Sequence, residues 1–127
     1  MKKPAILVVE DEPIVGLSLK HTLQSMGFSA AVVVSGEAAL DQLEKELPDL
    51  ILMDIRLKGE LDGIQTAEKI LQAHDMPIIY LTAYADNGMV RRINSSGGAG
   101  YLSKPFEDEE LEKMIRSALR IRKARGK

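Results

Sequence analysis

Acidic side chains stand directly after two short apolar runs of this sequence. Glu10, Asp11 and Glu12 follow the first run, and Asp54 follows the second. If the two runs are neighbouring strands, their carboxylates meet at one edge of a sheet and repel one another unless a cation is bound. Oxygen ligands, with no cysteine in the chain and no histidine nearby, favour a hard ion such as Mg²⁺ or Mn²⁺.

We expect two of these acids to bind such an ion directly, namely Asp11 and Asp54. Glu10 is expected to act through a bound water, and the main-chain carbonyl of Arg56, two residues beyond Asp54, to add another oxygen. Each acid also fits a plainer role, because acids that follow a strand commonly cap the next helix.

A hydroxyl and an ammonium follow two later apolar runs. Thr82 follows residues 78–81, and Lys104 follows residues 99–102. A carboxylate that attacks a phosphoryl donor needs charge stabilisation on the transferring oxygens, which a cation, a lysine and a hydroxyl can supply. Asp54 is therefore the candidate nucleophile. Taken alone, such a threonine commonly caps a helix or packs in the core, and such a lysine is commonly a solvated loop residue. The prediction therefore depends on the two acidic segments, the threonine and the lysine together.

The elements that position these side chains follow a β-α pattern. Continuous apolar runs at 5–9, 50–53 and 78–81 are typical of central parallel strands that are covered on both faces. Weaker runs at 30–34 and 99–102 suit the edges of the sheet.

Apolar stripes at spacings of three and four residues predict a helix after each strand. The stripes are Val15, Leu19, Leu23 and Met26; Leu40, Leu43 and Leu47; Ile64, Ala67 and Leu71; Met89, Val90 and Ile93; and Leu111, Ile115 and Ala118. Pro13 suits the start of helix one, Gly27 its end, Pro48 the end of helix two and Pro77 the entry to strand four. Strict alternation predicts the α/β class, with a flavodoxin-like, doubly wound (βα)5 fold and a five-stranded parallel sheet in the order 2-1-3-4-5. That order places the site beyond the carboxyl ends of strands one and three.

Length and composition predict a single domain over residues 1–127. The chain has 45% hydrophobic and 28% charged residues, which excludes most disordered and fibrous classes. The net charge of -2 gives no general attraction for nucleic acid or for an anionic membrane. No apolar stretch approaches the roughly 20 residues of a membrane span, and the absence of cysteine fits the cytoplasm. Residues 120–127 are expected to form a basic C-terminal tail that contacts solvent.

Four blocks of the sequence resemble the signature blocks of response-regulator receiver domains, such as the chemotaxis response regulator, which serve two-component signalling. The blocks are Val8-Val9-Glu10-Asp11-Glu12, Leu52-Met53-Asp54, Leu81-Thr82-Ala83 and Tyr101-Leu102-Ser103-Lys104-Pro105-Phe106. The resemblance spans essentially the whole chain. It implies that Asp54 takes a phosphoryl group from a sensor histidine kinase or a phosphotransfer protein, that Glu10 and Asp11 organise Mg²⁺, and that Lys104 contacts the phosphoryl group.

The same resemblance implies a switch. Thr82 is drawn to the phosphoryl group and Tyr101 moves inward, which reshapes the face of helix four, strand five and helix five. Through this face the protein would meet a downstream effector or a second copy of itself. Without the resemblance, Tyr101 would be interpreted simply as an aromatic residue of an edge strand. Lys104-Pro105 resembles the cis peptide of the family.

Two features depart from the commonest receiver pattern. The segment from Asp54 to Asp62-Gly63 is one residue longer than usual, with residues 58–61 where a Met-Pro pair commonly stands. This leaves open the shape of the loop and the choice of kinase. Tyr84, two residues after Thr82, either slows dephosphorylation or packs on the surface.

Other functions fit parts of the same pattern. An aspartate-nucleophile, Mg²⁺-dependent phosphatase usually has a second aspartate two residues after the nucleophile, where this chain has Arg56. A flavin or nucleotide carrier is disfavoured because acids after strand one repel phosphate. A phosphate-independent pseudo-receiver stays open, as do a stand-alone regulator, a phosphorelay carrier and a receiver from a longer protein. We expect no enzyme activity beyond self-phosphorylation and self-dephosphorylation.

Overall fold

A computed structural model of the protein describes residues 2–83 and 85–126, with the side chains of residues 124–126 left out. Within these residues, five strands alternate with five helices. They are β1 (Ala5–Val9), α1 (Pro13–Ser25), β2 (Ser29–Val33), α2 (Gly36–Lys45), β3 (Leu50–Asp54), α3 (Gly63–Ala73), β4 (Ile78–Thr82), α4 (Asn87–Ser96), β5 (Gly100–Ser103) and α5 (Asp108–Gly126).

The strands form one parallel sheet in the order β2-β1-β3-β4-β5. The predicted fold class and strand order are therefore confirmed, with the two weaker apolar runs at the edges and the three continuous runs in the centre. Every residue of β3 and β4 is buried, as expected for strands that are covered on both faces.

Alternate side chains of the strands enter two separate hydrophobic cores. The first core contains Leu7, Val9, Ile51 and Met53 with residues of α2, α3 and α4; the second contains Ile6, Val8, Leu50 and Leu52 with residues of α1 and α5. Successive strand residues point to opposite faces, so a continuous apolar run supplies both cores. Rigid central strands then hold their carboxyl ends at a common edge.

The predicted boundary signals act as expected at most helix ends. Pro13 is the first residue of α1, and Gly27, with φ of 96°, follows the C-cap residue Met26. Polar side chains begin three other helices: Ser35 Oγ accepts from the N–H of Ala38, Asp62 caps α3, and Asp86 Oδ1 accepts from the N–H of Met89.

Two residues of the predicted helix stripes lie beyond the ends of their helices. Met26 is the C-cap residue of α1 and packs against the second core. Leu47 lies outside α2 and is 51% exposed, because the helix ends at Lys45 and Glu46 is extended. Leu47 precedes Pro48, and the proline ring disfavours helical backbone at the residue before it. Leu43 of the predicted stripe is buried, as is Ala39, which the stripe did not include.

The segment expected to be a basic tail is part of a helix. Backbone of α5 continues to Gly126, and the guanidinium of Arg122 donates to the main-chain carbonyl of Asp49 at 2.8 Å. No helix in residues 2–83 or 85–126 combines the length and the apolar character that crossing a membrane requires.

Candidate functional site

Three carboxylates meet beyond the carboxyl ends of β1 and β3. One oxygen each of Glu10, Asp11 and Asp54 lies within 4.8 Å of the others. Glu10 and Asp54 are buried, with 1% and 7% of their surface exposed, and Asp11 is partly buried. β1 and β3 are neighbours in the sheet, so acids 44 positions apart share one crevice, as the strand order predicts.

Each of these carboxylates accepts a hydrogen bond from a main-chain N–H. The N–H of Glu12 donates to Glu10 Oε2 at 3.2 Å, and the N–H of Arg56 donates to Asp54 Oδ1 at 3.0 Å. The N–H of Lys58 donates to Asp11 Oδ2 at 2.9 Å. Main-chain donors orient all three acids, and local backbone supplies two of the three donors.

Lys104 supplies the positive charge of the cluster. Its Nζ lies 3.1 Å from Asp54 Oδ2 and 3.5 Å from Glu10 Oε1. Burial lowers the pKa of Lys104, but the neighbouring carboxylates of Asp54 and Glu10 outweigh that effect and raise the pKa above its ordinary value. Lys104 therefore remains an ammonium at neutral pH, facing two acids.

Glu10 is the acid with an unusual protonation equilibrium. Burial, a hydrogen bond with Asp54 and repulsion from its charge raise the pKa of Glu10 from 4.5 to about 7, against the opposing effects of the Glu12 N–H and of Lys104. Glu10 is therefore partly protonated at neutral pH, and a cation bound beside it would favour the ionised form.

The two predicted switch residues, Thr82 and Tyr101, lie in different parts of the structure. Thr82 ends β4, is buried, and its main-chain carbonyl accepts from the N–H of Lys104 at 2.8 Å, so it lies at the same sheet edge as the acids. Tyr101 lies in β5, paired with Tyr80, and packs half-buried against the core that includes Ile93 of α4. Tyr101 is therefore not part of the acid cluster.

The remaining predictions from sequence concern Arg56, Tyr84 and the Lys104-Pro105 peptide. The side chain of Arg56 is exposed, while its N–H is bound to Asp54. Tyr84 lies outside the described residues. The Lys104-Pro105 peptide is cis, as the resemblance implied.

Gly63, which is not among the predicted site residues, packs closely against the main chain of Asp54. The N–H of Gly63, the first residue of α3, donates to the carbonyl of Ile55 at 2.8 Å. A β-carbon on Gly63 would collide with the main-chain carbonyl of Asp54. The sequence does contain a signal for the start of α3. Asp62 and Gln65 have the spacing of a capping box, which makes Gly63 the first residue of the helix.

Two polar contacts of the segment after Asp54 were also missed. The main-chain N–H of Lys58 donates to the carboxylate of Asp11, and the carboxylate of Asp62 forms an ion pair with Arg92 of α4 at 2.9 Å. Their partners are 47 and 30 positions away in the sequence, so no local pattern could have identified them.

Comparisons with known proteins agree with this geometry. Residues 6–116 match the family model of the response regulator receiver domain. The transcriptional activator protein IrlR of Burkholderia pseudomallei is 41% identical over 120 residues, which are 94% of this chain and 52% of that protein. The DNA-binding response regulator MtrA of Mycolicibacterium smegmatis is 36% identical over 115 residues, 91% of this chain and 50% of that protein. The chain spans about half the length of these curated relatives.

Solved structures share the fold. The receiver domain of the sensor histidine kinase PA1611 from Pseudomonas aeruginosa, which has a magnesium ion in its active site cleft, superposes with a TM-score of 0.84 at 33% identity, over 92% of this chain and 98% of that one. A CheY-like receiver domain protein from Methanospirillum hungatei gives a TM-score of 0.91 at 25% identity, over 98% and 99% of the two chains. With the acid cluster, the strand order and these relatives in agreement, the chain belongs to the response regulator receiver domains of two-component signalling systems.

Proposed function

We propose that Asp54 is the phosphoacceptor of this receiver and takes its phosphoryl group from a phosphorylated histidine of a sensor kinase or phosphotransfer protein. The observation that carries the proposal is that the buried Asp54 carboxylate lies with two further acids and within 3.1 Å of the Lys104 ammonium. We further propose that residues 1–127 act as one domain. A cytoplasmic location stays a prediction.

In the transfer step, a carboxylate oxygen of Asp54 forms a bond to phosphorus. The bond between phosphorus and the histidine nitrogen breaks, and its electron pair stays on the imidazole. Lys104, which neutralises Asp54 before the reaction, can turn to the phosphoryl oxygens as their charge develops. The hydroxyl of Thr82, at the same edge, is the proposed donor to another phosphoryl oxygen.

The donor set fits Mg²⁺, with Mn²⁺ as a substitute. Asp11 and Asp54 would hold the ion directly, Glu10 through a water and Arg56 through its main-chain carbonyl, because hard divalent ions prefer oxygen ligands. When bound, the ion supplies positive charge to the transferring oxygens. The magnesium in the related PA1611 receiver supports this assignment.

We propose that the domain catalyses only its own phosphorylation and dephosphorylation. Arg56 stands where an aspartate-nucleophile phosphatase would place its second acid, and its exposed side chain offers no proton donor to a leaving group at neutral pH. The pseudo-receiver alternative conflicts with the presence of the acids, Thr82 and Lys104 at one edge.

Mass measurement of the intact protein tests the central proposal. With Mg²⁺ and acetyl phosphate, the wild type should gain the mass of one phosphoryl group. The Asp54→Asn variant should gain none, whereas Asp41→Asn, which changes an exposed acid of α2, should be labelled like the wild type. Equal labelling of wild type and Asp54→Asn would contradict the proposal. Sustained release of phosphate from small phosphate esters would instead support the phosphatase.

The phosphodonor protein should dock on the first turns of α1. Ile14 and Leu17 are 84% and 53% exposed, unusual values for large apolar side chains, and their spacing puts them on one face of the helix. α1 follows directly after the acids at 10–12, so a protein that covers this face can present a phosphorylated histidine to Asp54.

The docking prediction distinguishes phosphoryl transfer by a protein donor from transfer by a small molecule such as acetyl phosphate. With a histidine kinase that labels the wild type, Ile14→Asp with Leu17→Ser should slow transfer, while labelling by acetyl phosphate should not change. Leu47→Ser is a matched control. Leu47 is 51% exposed and lies near the start of β3, whereas the acid cluster lies beyond the carboxyl ends of the strands. Slower labelling by acetyl phosphate in the α1 variant would contradict docking as the cause.

Output is proposed to pass through the face formed by α4, β5 and α5, with Thr82 and Tyr101 as switch residues. A groove of about 870 Å³ adjoins this face, between α5 and the segments that precede β4 and β5, and Leu102, Met114 and the 56% exposed Ile121 line it. The partner is a downstream effector protein or a second copy of the chain. Light scattering with beryllium fluoride as phosphoryl mimic separates these, since only self-association doubles the molar mass.

A further inference from the structure

A loop distant in sequence orients Asp11. Residues 55–62 connect β3 to α3, and the N–H of Lys58 in this loop donates to Asp11 Oδ2 at 2.9 Å. Asp11 is only partly buried, whereas Glu10 and Asp54 are buried, so packing restrains the Asp11 side chain less than it restrains the other two acids. A main-chain hydrogen bond to the carboxylate therefore has more effect on the orientation of Asp11.

The loop is held on both sides of Lys58. Gly59, with φ of 105°, turns the chain immediately after it, in a backbone region that other residues rarely adopt. Downstream, the N–H of Gly63 donates to the carbonyl of the first loop residue, and Asp62 forms an ion pair with Arg92 of α4. These contacts restrain the loop that carries the Lys58 N–H on both sides of that residue.

We propose that the main-chain N–H of Lys58 is a positioning group of the cation site. It donates to Oδ2 of Asp11, and the Asp11 carboxylate offers one oxygen to the cluster formed with Glu10 and Asp54. This inference rests on the proposed function and adds to it a residue that touches neither the ion nor the phosphoryl group. The exposed Lys58 side chain has no part in it.

The physical basis is preorganisation. A carboxylate that is already oriented loses less rotational freedom when it binds an ion, so part of the ordering cost has been met in folding. Donors that orient metal ligands typically change metal affinity by about 10-fold or more when they are removed. Proline at position 58 would remove the donor, and alanine would keep it.

Calorimetric titration of the unphosphorylated protein with Mg²⁺ tests the proposal. We expect Lys58→Pro to weaken Mg²⁺ binding by about 10-fold. Lys58→Ala, which removes the side chain and keeps the N–H, should stay within about twofold of the wild type. Wild-type affinity in a folded Lys58→Pro variant, or an equal loss in Lys58→Ala, would overturn the proposal.

A double-mutant cycle with Asp11→Ala identifies the route of the effect. If the Lys58 N–H acts through Asp11, proline should have little further effect once Asp11 is gone. The same loss in both backgrounds would overturn the inference, since the loop would then act elsewhere. Asp11→Ala that leaves Mg²⁺ affinity unchanged would contradict the proposed metal site itself, which keeps the two failures distinguishable.

An NMR measurement keeps the test valid even if Lys58→Pro does not fold. In the wild type without Mg²⁺, the amide proton of Lys58 should resonate downfield, as hydrogen bonds to carboxylates are strong. Asp11→Ala should move this resonance upfield while the amide of Arg56, which binds Asp54, stays in place. An unchanged Lys58 resonance would overturn the proposal.

Discussion

Replacing Glu10 by glutamine should stabilise the Mg²⁺-free protein above neutral pH and leave it nearly unchanged in mild acid. Burial and the charge of Asp54 raise the pKa of Glu10 from 4.5 to about 7. Glutamine has nearly the shape of the protonated acid, and it can still accept from the N–H of Glu12. The variant thus imitates the uncharged form at every pH.

The sign follows from proton linkage. Between pH 4.5 and about 7 the folded state binds more protons at Glu10 than the unfolded state does, so stability falls as the pH rises through this window. The difference between the two pKa values corresponds to roughly 3 kcal/mol as an upper limit, at about 1.4 kcal/mol for each pH unit. This cost is absent below the unfolded pKa and fully present above the folded one.

Urea unfolding in the presence of a chelator measures the effect. The stability difference between Glu10→Gln and the wild type should grow by about 1–3 kcal/mol from about pH 5 to about pH 8, with the variant more stable at the higher pH. Glu12→Gln, which changes an exposed neighbouring carboxylate, is the control and should run parallel to the wild type. Parallel curves for Glu10→Gln would refute the proposed burial cost. Excess Mg²⁺ should narrow the difference, because a cation beside Glu10 favours its ionised form.

Three further outcomes can be measured. Lys104→Gln should slow labelling by acetyl phosphate about 10-fold or more, yet strengthen Mg²⁺ binding because its ammonium no longer competes for the carboxylates; weaker Mg²⁺ binding would contradict this. Gly63→Ala should destabilise by about 2 kcal/mol or more in urea unfolding, whereas Gly88→Ala, whose β-carbon has room, should not. Ser96→Ala leaves the buried Tyr80 hydroxyl without its 2.6 Å partner and should cost about 1–3 kcal/mol in unfolding free energy. Adding Tyr80→Phe should recover part of that loss, and strict additivity would argue against the bond.

Much of the fold could be read from the sequence because its signals are local. Continuous apolar runs need cover on both faces, so they indicate central parallel strands, and alternation with amphipathic helices leaves few topologies. The failure at Leu47 shows the limit of such patterns: its spacing fits a helix, but α2 ends at Lys45 and Pro48 disfavours helical backbone at Leu47. A steric effect between neighbours thus overrode hydrophobic periodicity.

The sequence by itself determined which groups could do chemistry: acids after two apolar runs, a threonine and a lysine after two others. Tertiary structure decided which of them share a crevice and in which protonation state. The pKa of Glu10 depends on burial and on Asp54, which are properties of the assembled sheet edge. The bonds from Lys58 to Asp11 and from Asp62 to Arg92 join residues far apart in the chain. Such contacts exist only after packing has brought the loop, the strand ends and α4 together, so no pattern of neighbouring residues contains them.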